Sequence, residues 1–176
     1  MKKKRSAQVF YWDSSVFLAL LNDEPKRAEN VEQIIDECEA GEIYIITSSF
    51  TLVEVIKLKG KKPILISEQK EVTDFFKKDY FRFVDATRKI TERARDLIWK
   101  TPDLNPKDAV HLASAIEYAN KAELDCIHSY DTDFLDLNGK LPISCPVQEP
   151  MPKQKTFGFG VTGSKKKSGR KLDLSN

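Results

Sequence analysis

Short apolar runs that alternate with helix-periodic stretches constrain this chain most. Residues 9–12, 43–47, 80–84 and 125–129 are rich in β-branched and aromatic side chains, as strands are. Between them lie stretches with the period of a helix. Residues 26–40 place Val31, Ile34, Ile35 and Cys38 on one face, with Gly41 as a stop. Residues 16–21, 50–58, 67–78 and 87–99 read as further helices, with Val72, Phe75 and Phe76 inward in the third of these. Asn105 and Pro106 form a cap and a first helical residue, and Ala109, Leu112, Ala113, Ile116 and Ala119 follow as a buried stripe. Residues 63–66 read equally as strand or helix, 132–137 as one or two helical turns, and 143–147 as a last short strand. Such alternation predicts an α/β fold with a mainly parallel sheet. In sheets of that kind the working crevice lies at the carboxyl ends of the strands.

At 176 residues the chain is one domain with tails. A basic extension spans residues 1–8, the folded domain 9–148, and a basic, disordered tail 149–176. The net charge is only +2, but +6 in residues 151–176 and +4 in residues 2–5 leave −8 for residues 6–150. The basic tail either neutralises phosphates or simply solvates the end of the chain. Three scattered cysteines with no Cys-x-x-Cys spacing point to a reduced, cytoplasmic protein without a zinc site. No run reaches the roughly 18 uninterrupted apolar residues of a membrane span. The Lys-rich start mimics a secretion signal, but Asp13, Ser14 and Ser15 interrupt the apolar run that follows.

Acids mark the strand ends. Asp13 closes the first strand, Glu54 lies in the helix after the second, and Asp131 and Asp133 follow the strand at 125–129. Asp108 sits in the first turn of the helix leading into that strand. Each has a local explanation. Asp13 caps a helix, Asp108 complements a helix dipole, and Asp131 and Asp133 make a turn and a cap. Glu54, flanked at i−4 and i+4 by Phe50 and Leu58, points toward the apolar stripe and needs a partner. A Lys or Arg would supply one. The alternative is a single cleft in which like charges crowd, compensated by a divalent cation. All-oxygen ligation suits Mg²⁺ or Mn²⁺.

Taken together, Asp13 before Ser14-Ser15-Val16-Phe17-Leu18, Glu54 in Ser49-Phe50-Thr51-Leu52-Val53-Glu54-Val55, Asp108-Ala109-Val110-His111-Leu112-Ala113-Ser114-Ala115 and Ser129-Tyr130-Asp131-Thr132-Asp133-Phe134 resemble the PIN domain, in particular the VapC-type toxin ribonucleases. The resemblance runs from about Val9 to Val147. It implies a three-layer α/β/α fold and a metal-dependent endoribonuclease. Asp13, Glu54 and Asp108 would be metal ligands and Asp131 the fourth acid, with Mg²⁺ or Mn²⁺ as cofactor. RNA would be the substrate, and a small antitoxin and a second copy of the chain the partners. Asp133 matches a more variable position, and Ser129 stands where the family commonly has Thr, placed either to bond the acids or to cap.

His111 and His128 read as packed, hydrogen-bonded core residues rather than ligands, and Trp12, Phe17 and Phe134 as core. Two other functions compete. One is a catalytically silent PIN-like module that binds RNA or protein. The other is a haloacid-dehalogenase-type phosphatase, which needs an acid at the position Ser15 occupies.

Overall fold

A computed structural model of the chain describes residues 7–56, 65–135 and 143–146. The tail, the extension through residue 6, the expected helix end at 57–58 and residues 63–64, 137 and 147 lie outside the described residues.

The element order is β1 (Gln8–Trp12), α1 (Ser14–Leu21), α2 (Arg27–Glu39), β2 (Ile43–Ser48), α3 (Thr51–Glu54), α4 (Ile66–Phe75), β3 (Phe81–Val84), α5 (Arg88–Lys100), α6 (Pro106–Ala119), β4 (Cys126–His128), α7 (Thr132–Leu135) and β5 (Ile143–Ser144). The strands form one sheet in the order β3-β2-β1-β4-β5, and every pairing is parallel. Each crossover carries helical structure, as parallel strands require.

The sheet is covered on both faces, which makes three layers. Alternate residues of β1 serve opposite sides, as the strand period dictates. Tyr11 joins Ile46, Ala94, Leu97, Leu112 and Ile127 in the core beneath α5 and α6. Phe10 and Trp12 join Phe17, Val31, Ile34 and Ile45 in the core beneath α1 and α2. Trp12, Phe17 and Phe134 are fully buried, as the sequence predicts.

Local capping rules are obeyed. The Asn105 side chain accepts from the Lys107 amide at 3.0 Å and Pro106 opens α6. Gly41, at φ +74°, follows the end of α2 and takes the left-handed conformation that glycine adopts without strain.

One expectation is corrected. The helix anticipated over 50–58 is a single turn, Thr51–Glu54, and the chain leaves helical geometry at Val55 (φ −91°, ψ 80°). Val53, Val55 and Ile56 are β-branched and lose rotamer freedom in a helix, and Val55 is instead buried in the α1/α2 core. The inward side expected for Glu54 holds within that turn: its side chain is only 12% exposed and Phe50 packs beside His111, whereas Leu52, Val53 and Ile56 are exposed. The helix expected over 67–78 is shorter at its end, Ile66–Phe75, although Phe75 and Phe76 do pack against Phe17 and Phe81 as anticipated.

Candidate active site

The strand order decides where a crevice opens. The chain adds β2 and β3 on one side of β1, then returns to add β4 and β5 on the other. Order therefore reverses between β1 and β4, and the ends of those two strands flank the place where α/β sheets bind ligands. Asp13 directly follows β1, and Ser129 and Asp131 follow β4.

Asp13 caps α1. Its Oδ1 accepts from the Ser15 amide at 3.0 Å, the Val16 amide at 3.4 Å and the Ser15 hydroxyl. Its Oδ2 accepts from the Ser129 hydroxyl, 116 positions later. That contact follows from register, because Trp12 pairs with His128 across β1 and β4. Burial raises the Asp13 pKa. The hydrogen bonds from Ser129, Ser15 and the Val16 backbone offset part of that rise, and the net direction is upward. Ser129 also accepts the Asp131 amide at 2.9 Å, so one hydroxyl ties two acid-bearing segments together. The Asp131 Oδ1 in turn accepts the Asp133 amide at 2.9 Å and starts α7. The cap readings of Asp13 and Asp131 hold alongside their place in the crevice. Asp133 is exposed.

Glu54 reaches the same place from α3. Its Oε2 accepts from the Ser14 hydroxyl at 2.6 Å and from His111 Nε2 at 2.8 Å. Its Oε1 lies 3.5 Å from the Lys107 ammonium. Burial raises the Glu54 pKa, but the His111 and Ser14 hydrogen bonds and the nearby positive charge outweigh it, so the carboxyl is held below its usual range. The ion pair weighed from the sequence therefore exists, and a histidine reinforces it.

Asp108 is the least compensated member, with only the His111 ring offsetting part of the repulsion. Among the described residues no hydrogen bond or ion pair reaches its carboxyl. Burial first, then the negative charges of Asp131 and Asp13, and to a smaller degree Glu54, push its pKa up to about 6. All four acids are thus brought into one neighbourhood around Asp108.

His111 and Ser14 were not among the anticipated site residues. His111 is buried, as expected for a packed histidine, and it is also bonded to Glu54 and, through Nδ1, to the Tyr11 hydroxyl at 2.9 Å. Its spacing, one turn after Asp108 on α6, was the available signal. Ser14 and Lys107 adjoin Asp13 and Asp108 in sequence, so their neighbours are the only local clue. His128 lies on the other side of the strand end, its Nδ1 accepting from the Trp12 indole at 3.1 Å.

No three His, Cys, Asp or Glu side chains among the described residues already stand at the spacing of a metal cage. The donor chemistry nonetheless fits a hard divalent ion. Every candidate ligand atom is a carboxylate oxygen. Asp13 Oδ2 accepts one bond and Glu54 Oε1 only the Lys107 contact, so each keeps acceptor capacity. Mg²⁺ retains several waters and binds through one or two carboxylates, so a closed protein cage is not required.

Fold and site together define a three-layer α/β domain with an acid-lined crevice where the strand order reverses. A family model of the PIN domain matches residues 10–140, and the chain belongs to the PIN domain family. Solved structures agree in fold. The Mycobacterium tuberculosis toxin VapC20, described as cleaving the sarcin-ricin loop, superposes with a TM-score of 0.58 at 16% identity, over 73% of this chain and 95% of that one. A toxin–antitoxin complex from Klebsiella pneumoniae gives 0.54 at 19% identity, over 81% and 100%. VapBC2 from Rickettsia felis, bound to a promoter DNA fragment, gives 0.53 at 18% identity, over 78% and 98%. No curated protein matches the chain in sequence.

Proposed function

We propose that this PIN domain is a Mg²⁺- or Mn²⁺-dependent endoribonuclease that hydrolyses RNA phosphodiester bonds, and that it acts as the toxin of a toxin–antitoxin pair. One observation carries the reading: four acids from separate parts of the chain act on one another, and Asp108 bears repulsion from Asp131, Asp13 and Glu54 that His111 only partly offsets. Like charges held together at cost are a mark of a functional site. The resemblance to VapC-type toxins agrees with it.

Asp13, Glu54, Asp108 and Asp131 would hold the metal. When bound, the ion supplies positive charge to the scissile phosphodiester and makes water a better nucleophile. The chain's own groups do the positioning. Ser129 and Ser15 fix the Asp13 carboxylate, and Ser129 also holds the Asp131 backbone. His111 and Ser14 hold Glu54. The reading calls for no Ser, Cys or His nucleophile.

On the same reading the folded domain is residues 9–148, it works in the cytoplasm, and its partners are a small antitoxin and a second copy of the chain. No helix among the described residues is long and apolar enough to cross a membrane. The basic tail supplies an electrostatic route to RNA past an acidic body. Deleting residues 151–176 and following RNA affinity against salt tests that role, because a phosphate-neutralising tail steepens the dependence.

Glu54 already paired with His111 and Lys107 favours a second reading, a PIN module that binds RNA or protein and does not cut. Incubating the full chain with mixed RNAs in Mn²⁺ or in chelator separates the two. Cleavage that requires Mn²⁺ and disappears in Asp13→Asn supports the nuclease. RNA binding without cleavage in either condition overturns it.

A further inference from the structure

Glu54 sits on one turn of helix, followed at Val55 by non-helical backbone. So short an element holds a side chain weakly by itself, because the costly first turn is barely extended. Yet the Glu54 carboxylate has a defined orientation. Its Oε2 is saturated by two donors, Ser14 Oγ at 2.6 Å and His111 Nε2 at 2.8 Å, which leaves Oε1 as the exchangeable oxygen facing Lys107.

The imidazole is itself held. It is buried on α6, its ring meets Tyr11 and Phe50 edge-on at centroid distances of 6.0 and 6.3 Å, and its Nδ1 lies 2.9 Å from the Tyr11 hydroxyl. With a neutral ring, Tyr11 donates to Nδ1 and the Nε2 proton is directed at Glu54. Tyr11 is fully buried at the centre of the sheet, on β1, one of the most constrained strands of the domain.

We infer that Tyr11 and His111 form a positioning relay that fixes the Glu54 carboxylate, holding Oε2 so that Oε1 is presented to a divalent cation. The relay rests on the nuclease reading and extends it to two residues that touch neither metal nor RNA. It couples the central strand to an acid on a short, otherwise poorly held helix. Partners of this kind change metal affinity by roughly 10–100-fold when removed.

The test is Mn²⁺ binding to the full chain by calorimetry, with thermal unfolding in chelator as a check of the fold. Tyr11→Phe keeps the buried ring and removes only the hydroxyl, and weakens Mn²⁺ binding roughly tenfold, at the low end of that range. His111→Leu weakens it further, and His111→Gln, which restores an N–H donor, recovers part of the loss. In cleavage assays the Mn²⁺ concentration for half-maximal rate rises while the KM for RNA stays. Should His111→Leu fail to fold, Tyr11→Phe decides alone. Wild-type protein that binds Mn²⁺, with Tyr11→Phe binding equally well, overturns the relay and leaves the nuclease reading standing. Wild-type protein with no affinity for Mn²⁺ overturns both.

Discussion

His111 Nε2 lies 2.8 Å from Glu54 Oε2, although the two residues are 57 positions apart and on different elements. His111 is also one helical turn from Asp108. A single turn of α6 thus delivers one acid to the crevice and a donor that orients another. Half of the site is organised by this helix and half by the β1/β4 strand ends.

Ser129 is the corresponding organiser on the strand side, donating to Asp13 and accepting from the Asp131 amide. Ser129→Ala removes both interactions and costs about 1–2 kcal/mol of stability, as expected for a buried hydrogen-bond partner. It lowers Mn²⁺-dependent cleavage by roughly tenfold or more. Ser129→Thr keeps the hydroxyl and retains most activity. Urea unfolding and initial cleavage rates of the two variants check this.

Asp108→Asn trades function for stability. The Asp108 pKa stands at about 6 in the fold, above the ordinary aspartate value of 3.8. The folded state therefore prefers the protonated acid. Stability from this group is present below pH 3.8 and lost as pH rises through about 6. Asn carries no charge and removes the loss. After discounting for the solvent that reaches this half-buried group, the gain at pH 7 is about 1 kcal/mol. Melting in chelator at pH 5 and pH 7 should show the metal-free variant more stable than wild type at both, by a larger margin at pH 7, with cleavage abolished.

Proton competition at the same carboxyl makes ion binding pH-dependent. Mn²⁺ affinity rises as pH increases through about 6, the value at which Asp108 ionises. The rise flattens above it. Calorimetric titrations from pH 5 to pH 8 measure this, and Asp108→Asn abolishes the step.

Lys107 competes for the oxygen that His111 leaves exposed. Its ammonium is 3.5 Å from Glu54 Oε1 and its side chain is 64% exposed. Solvent screening keeps such a contact weak, so Lys107→Met changes stability by about 0.5 kcal/mol or less. Mn²⁺ affinity increases by roughly threefold, since a nearby positive charge is removed. Parallel melting and metal titration of this variant separate the two effects.

His128 governs acid sensitivity away from the acids. Burial alone depresses its pKa to about 3, from 6.5. The fold keeps the ring neutral, so stability is full above pH 6.5 and lost as pH falls toward 3. Between pH 6.5 and 4.5 this amounts to about 2–3 kcal/mol. His128→Phe flattens that slope. It also leaves the Trp12 indole N–H without the acceptor it has at 3.1 Å, at a cost of about 1–2 kcal/mol at every pH. Urea unfolding at pH 7 and pH 4.5 gives both numbers.

The sequence alone was sufficient for features set by neighbouring residues. Asn105 and Pro106 start α6, Gly41 ends α2, and the four acids fall where strands end or helices begin. Those signals are local, so the alternating α/β pattern and the PIN resemblance were legible. Glu54 exposed the limit of that reading. Its helix period extended to Leu58, but the helix stops at Glu54 and Val55 turns into the core, although Glu54 itself points inward as its spacing predicts.

Only the tertiary structure decided which acid met which partner. The β1/β4 register set Ser129 against Asp13 across 116 positions, and the packing of α6 on the sheet set His111 against both Tyr11 and Glu54. Periodicity specifies which face of an element is buried. It carries no information about which distant element lies opposite, because that depends on strand order and register, and those are settled by the whole core at once.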